Sequence, residues 1–177
     1  MSRWQRQQGC WCLWPASPKG LVEFIGGSYL ATNPQISYRR LLEGLAARQL
    51  AVHAWSYVPG FDHQLQAREA WQALRTCRAA LNQRLGQDLV PVRVGHSLGC
   101  KLHLLAPDGG RNSLGMASLS FNNFTAERSI PLLGTLAPSL GVVTEFSPGP
   151  EETLRLIERY YLPVSYTHLT LPTTGVV

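Results

Sequence analysis

The sequence predicts an α/β fold, a mostly parallel sheet sandwiched in three layers between helices. Three observations carry this expectation. Short apolar runs at 10–14, 21–25, 50–57, 90–94 and 116–121 are separated by turns and by stretches with helical spacing, the pattern of strands joined by crossover helices. The fourth run leads without a break into Gly95-His96-Ser97-Leu98-Gly99 and then into Lys101-Leu102-His103-Leu104-Leu105, a strand, a tight turn and a helix. A chain of 177 residues, 45% hydrophobic and only 15% charged, is also long enough to bury the core that such a sheet needs.

Taken in order, residues 10–14 form a first strand, and 15–20 a turn rich in Pro, Ser and Gly. The second strand, 21–25, ends at Gly26-Gly27-Ser28. Tyr38, Leu41, Leu42 and Leu45 then fall on one helical face, with Ser37 as the expected N-cap. The third strand, 50–57, closes at Pro59-Gly60. A longer helix carries the stripe Ala67, Ala70, Trp71, Leu74, Cys77 and Leu81, with Asp62 just ahead of it. The fourth strand, 90–94, enters the turn at Ser97, and the helix that follows runs to Pro107-Asp108-Gly109-Gly110. A fifth strand covers 116–121. Ser147-Pro148-Gly149-Pro150-Glu151-Glu152 starts a last helix, with Pro150 near its first position and two acids in its first turn. No internal repeat or low-complexity linker interrupts the pattern.

Composition narrows the function classes. The net charge is +5, and Lys19 and Lys101 are the only lysines. The arginines are scattered, with Arg39-Arg40 the only adjacent pair, which reads as a solvated basic surface. A nucleic-acid footprint would need a stripe or cluster. Cys10, Cys12, Cys77 and Cys100 show no Cys-x-x-Cys pair and no metal-ligand spacing, so they read as reduced, mostly buried thiols of an intracellular protein. No secretory signal opens the chain, no segment is long and apolar enough to span a membrane, and no cofactor or metal is implied.

The chemistry centres on Ser97. Gly95-His96-Ser97-Leu98-Gly99 has the form of the nucleophile elbow of α/β-hydrolases, a turn so tight that the positions two before and two after the serine must lack side chains. The positive end of the following helix would face the site. The competing reading is an ordinary strand-to-helix turn whose serine only caps the helix. A serine nucleophile needs a base, an acid to orient that base, and donors for the oxyanion. The N–H of Leu98 is one expected donor. The second is expected from Gly27 or Ser28, in the loop after the second strand; a simple glycine turn is the alternative there. The base is harder to place. His103 reads as a partly buried helix residue, and His96, within the elbow, as pointing away from the attacked face. Asp62 and His63 lie where ligands bind in open α/β sheets. Asp62 is a candidate acid or substrate contact, and otherwise a helix cap; His63 is a candidate substrate contact and a weaker candidate base. Asn122 and Asn123, after the fifth strand, are candidate substrate contacts or loop caps. Glu127 and Glu145 are later acids without an assigned partner.

The last segment, 163–177, does not continue the preceding helix in character. Its Val164-Ser165-Tyr166-Thr167-His168-Leu169-Thr170-Leu171-Pro172-Thr173 can be reverse-translated as gtctcttatacacatctgacgctgccgacg, which resembles the transposase adapter used in DNA sequencing libraries. Residues 163–177 are therefore expected to be adapter-derived, and 1–162 to be the N-terminal part of one domain whose remainder is missing. His168 then carries no mechanistic weight. A sheet cut short in this way is expected to expose an apolar edge, to be marginally stable and to have little activity.

Seven motifs recur in order and spacing: Phe24-Ile25-Gly26-Gly27-Ser28; Tyr38-Arg39 with Leu41-Leu42; Phe61-Asp62-His63; Gly95-His96-Ser97-Leu98-Gly99-Cys100-Lys101-Leu102-His103-Leu104-Leu105; Ser120-Phe121-Asn122-Asn123-Phe124; Arg128-Ser129-Ile130-Pro131-Leu132; and Glu145-Phe146-Ser147-Pro148. Over 10–162 the chain thereby resembles the domain-of-unknown-function family 1350 of cyanobacteria and plant chloroplasts, which is similar to α/β-hydrolases. The resemblance implies a cytoplasmic cyanobacterial protein. It also implies a later acidic loop and a Thr-His-Leu-Thr segment that would supply the acid and base. Two functions follow as expectations. One is hydrolysis or transfer of an acyl group of a small, lipid-like substrate through Ser97. The other is a non-catalytic binding or assembly module that keeps the hydrolase shape, with Asn122, Asn123 and Arg128 on its recognition surface. A small-ligand carrier using the same cleft is a third.

Overall fold

The central strands of the sheet read as nearly unbroken apolar runs because helices cover both of their faces. A computed structural model describes residues 3–60 and 62–121. In chain order these form β1 (Gln5–Gln7), β2 (Cys10–Leu13), β3 (Gly20–Ile25), a 3₁₀ turn (Leu30–Thr32), α1 (Pro34–Ser37), α2 (Arg39–Ala47), β4 (Leu50–Trp55), α3 (His63–Leu85), β5 (Pro91–His96), α4 (Leu98–Leu104) and β6 (Gly115–Leu119). One sheet is ordered β1-β2-β4-β3-β5-β6. Neighbours among β4, β3, β5 and β6 pair parallel, whereas β1 with β2 and β2 with β4 pair antiparallel.

Alternation along the strands sorts side chains into two layers. Phe24, Val52, Ala54 and Leu13 pack with Leu42 and Ala46 of α2 on one face. Ile25, Trp55, Cys10 and Cys12 pack with Ala67, Ala70, Leu74 and Cys77 of α3 and Leu102 of α4 on the other. The predicted α/β sandwich is therefore the observed one, and the α3 stripe is its inner face. Removing a large apolar side chain such as Phe24 or Leu42 from water stabilises the fold by about 1.5–3 kcal/mol.

A polar row crosses the α3 side of this core. His53, Glu23 and Arg93 are register partners on β4, β3 and β5, and all three are buried. Arg93 forms a two-pronged ion pair with Asp108, at 2.9 and 2.7 Å, and lies 3.6 Å from Glu23. Arg78 of α3 approaches the same carboxylate at 3.8 Å. Trp14 Nε1 donates to His53 Nε2 at 2.8 Å. The expected solvated basic surface does not extend to Arg93 and Lys101, which are buried; the carboxylates of Asp108 and Glu23 face Arg93.

Other departures are local. β1 has the polar sequence Gln-Arg-Gln, with no apolar alternation to betray an edge strand. It exists because Gln8 and Gly9, both at positive φ (48° and 80°), make a two-residue hairpin turn into β2. Ser37 does not cap α2. It ends α1, which Pro34 starts at its first turn, and Tyr38 takes the cap position of α2 without a side-chain hydrogen bond. The third strand ends at Trp55, and the fourth extends to His96. The four cysteines are free and buried. Among the described residues no helix is long and apolar enough to cross a membrane. The helix expected from Pro150, together with Asn122, Asn123, Arg128 and 163–177, lies outside the described residues.

Candidate active site

Adjacent parallel strands bring the site together. β3 and β5 are hydrogen-bonded neighbours with Ile25 opposite Gly95, so the loop leaving β3 and the turn leaving β5 emerge side by side at their C-terminal ends. Ser97 is that turn. Its backbone stands at φ 51°, ψ −118°, a strained conformation for a residue with a side chain. Its N–H donates to Leu119 O of β6 at 2.9 Å, so three neighbouring strands hold the turn.

The glycines around it are required by space. A Cβ on Gly95 would lie 2.6 Å from the Cys100 backbone, and one on Gly99 would lie 2.0 Å from Ile25 O; neither side chain fits. Although Ser97 occupies the N-cap position of α4, its side chain makes no capping hydrogen bond. The reading of Ser97 as a simple cap therefore lacks the bond that would define it.

The β3 loop lies directly against the serine. A Cβ on Gly27 would be 3.2 Å from Ser97 Cβ and 2.9 Å from His96 Nδ1, so glycine allows this approach. Two tyrosines grip the loop's peptide. Tyr57 Oη donates to Gly26 O at 3.0 Å, and Gly27 N–H donates to Tyr38 Oη at 2.9 Å. Tyr38 Oη also bonds His96 Nδ1 at 2.9 Å, and the Tyr38 ring packs edge-on against Phe24 and His96. Burial raises both phenols above their ordinary pKa, so both are protonated at neutral pH. Since the phenol oxygen of Tyr38 accepts from Gly27, its own proton is available to His96 Nδ1.

The remaining predicted residues are placed as follows. Leu98 is the first residue of α4, and Ser28 follows Gly27 in the loop. Asp62 caps α3, its Oδ1 accepting from Leu65 N–H at 2.8 Å. His63, the first residue of α3, is buried. Burial, and then the charge of Lys101 on α4, push its imidazole down to about 4. His103 is buried completely, not partly, and its imidazole is pushed down to about 3 by burial and then by Arg93. The His96 ring lies beside Gly27, where an added Cβ would meet it, and its Nδ1 bonds Tyr38 Oη. Sequence reasoning missed Tyr38 and Tyr57 as parts of this assembly, although Tyr38 stands in one of the recurring motifs.

Residues 3–169 match the family described as "Protein of unknown function (DUF1350)". No curated protein matches the chain in sequence. Among solved structures it is similar to TT1662 from Thermus thermophilus, with 17% identity and a TM-score of 0.55 over 91% of this chain and 84% of that one. It is similar to dienelactone hydrolase from Anabaena variabilis, with 16% identity and a TM-score of 0.51 over 84% and 74%. It is also similar to the siderophore hydrolase EstB from Aspergillus fumigatus, with 13% identity and a TM-score of 0.53 over 86% and 49%. Together with its strand order, these likenesses show that the fold is that of the α/β-hydrolases.

Proposed function

The chain belongs to the DUF1350 family, and on that premise we propose that it is a serine hydrolase that cleaves or transfers an acyl group of a small ester-like substrate through Ser97. The observation that carries this reading is the pairing of a strained, uncapped serine with a glycine loop 3.2 Å from it, measured to the Cβ that Gly27 lacks. Strain of this kind persists where the surroundings impose it, and it is concentrated at reactive positions.

In this mechanism the Ser97 oxygen attacks the substrate carbonyl, its proton passes to a base, and the tetrahedral oxyanion is held by backbone N–H groups. Leu98 supplies one of them. Gly27 N–H is committed to Tyr38 Oη, so Ser28 N–H is assigned as the second donor, and Gly27 as the residue that lets the loop approach. No base is assigned among the described residues: in this architecture the acid and the histidine follow the nucleophile in the chain, and His168, the only histidine after His103, lies in the segment expected to be adapter-derived. An imidazole near 4, as at His63, or near 3, as at His103, is a poor match for base catalysis at neutral pH. Asp62 is assigned to capping. Asn122 and Asn123 remain candidate substrate contacts.

A fluorophosphonate probe tests the proposal. In the full-length protein, with an acid and a base in place, Ser97 is expected to be labelled and Ser97→Ala to be unlabelled; the sequence ending in 163–177 is expected to be labelled little. Labelling that ignores Ser97, or no labelling alongside a stoichiometric co-purifying partner that Ser97→Ala retains, would favour the binding-module alternative.

A further inference from the structure

The β3 loop is held in an unusual way. The Gly26 carbonyl and the Gly27 N–H belong to the same peptide group. Tyr57 Oη donates to the first, and Tyr38 Oη accepts from the second. The tyrosines come from different places: Tyr57 from the segment after β4, Tyr38 from the start of α2. Each is itself fixed. The Tyr57 ring stacks on Trp55 with centroids 4.5 Å apart, and its N–H donates to Ala31 O. The Tyr38 ring fills the space that a Gly26 side chain would need, since a Cβ there would lie 2.6 Å from it. Tyr38 Oη then reaches His96 Nδ1, the side chain immediately before Ser97.

A peptide plane gripped at both its oxygen and its hydrogen cannot rotate. The next peptide, which carries the Ser28 N–H, is held at its own oxygen, where Gly27 O accepts from Ala31 N–H at 3.0 Å; with the planes on both sides of Gly27 held, the direction of the Ser28 N–H is restricted. Oxyanion stabilisation depends on donors already aimed where charge develops, so that none has to reorient during reaction. The geometry points to Tyr38 and Tyr57 as positioning residues that orient the oxyanion loop, with Tyr38 also tying that loop to the elbow through His96. This inference rests on the hydrolase reading of Ser97. Neither tyrosine is assigned contact with substrate; both act through the Gly26–Gly27 peptide.

Two measurements on the full-length protein separate the inference from the reading beneath it. The first is amide hydrogen exchange by NMR in the wild type, Tyr38→Phe and Tyr57→Phe. Tyr38→Phe keeps the ring and its packing but removes the acceptor. The Gly27 amide is expected to be protected in the wild type and to lose about tenfold or more of that protection in Tyr38→Phe, with amides of β3 and β5 unchanged. Equal Gly27 exchange in the two proteins overturns the inference, whatever the chemistry at Ser97.

The second is the concentration dependence of fluorophosphonate labelling. Both variants are expected to lose about ten- to a hundredfold in the maximal labelling rate, with the half-saturating probe concentration unchanged. Loss of packing alone would not produce that split. Wild-type labelling with undiminished maximal rates in both variants overturns the inference and leaves the hydrolase reading standing. An unlabelled wild type with a protected Gly27 amide overturns the hydrolase reading, and the inference with it. Should Tyr38→Phe fail to fold, Tyr57→Phe carries the same rate test from the other end of the peptide.

Discussion

Ser97 is held at a backbone conformation that glycine adopts far more readily. Ser97→Gly is therefore expected to stabilise the protein by about 1 kcal/mol, the relief of strain less the added freedom of the unfolded chain. Ser97→Ala, which keeps a Cβ, is expected to leave stability nearly unchanged. Urea melts of the two variants against the wild type check this, and a Ser97→Gly protein weaker than Ser97→Ala would contradict it. At this scale the sequence was partly legible. Gly95 and Gly99 could be read because a tight turn between strand and helix has a spacing of its own, and Gly27 because it follows a strand in the right place. Tyr38 and Tyr57 could not be read. Their partners are backbone atoms 11 and 31 residues away, and no local pattern marks a side chain that serves a distant peptide.

Helix α3 shows what can be read at the level of an element. Of its stripe Ala67, Ala70, Trp71, Leu74, Cys77 and Leu81, all but the half-buried Trp71 are buried, and Gly86, at φ 66°, ends it in the left-handed conformation that suits glycine. Asp62 starts it through Leu65 N–H. Asp62→Ala is expected to cost about 1 kcal/mol of stability, and Asp62→Asn to cost much less, because asparagine caps as well. Neither substitution is expected to change labelling at Ser97. A large loss of labelling in Asp62→Asn with unchanged stability would reinstate Asp62 as a catalytic acid. β1 and α1 escaped notice for a different reason. Each is too short for periodicity to register, and each owes its existence to a turn or a proline at its boundary.

At the scale of the molecule, three buried histidines among the described residues make stability depend on acid. Burial pushes His53 and His63 down to about 4 and His103 down to about 3. An unfolded chain would protonate them near 6.5. Between those values the unfolded state takes up more protons than the folded one, so stability falls as pH drops from about 6.5 towards 4. Glu23, whose carboxyl is raised by burial, works in the opposite direction, one group against three. Urea midpoints at pH 7, 6 and 5 are expected to decline in that order; a flat series would contradict the assignment of neutral buried imidazoles. The fold class was legible at this scale because strand and helix periods alternate along the chain. The Glu23–Arg93–Asp108 cluster was not, since charges in a sequence give no sign of which will be enclosed.

The pairing of Ile25 with Gly95 has a consequence for how the site can fail. The loop that would hold the oxyanion and the serine that would attack leave the C-terminal ends of two neighbouring strands, just past the rung that pairs Ile25 with Gly95. Their separation is set by strand register, and a slip of one residue would turn every inward side chain of the strand outward. Pairing of β3 with β5 is therefore a necessary condition for the site, and loss of that pairing removes it whatever the state of the loop.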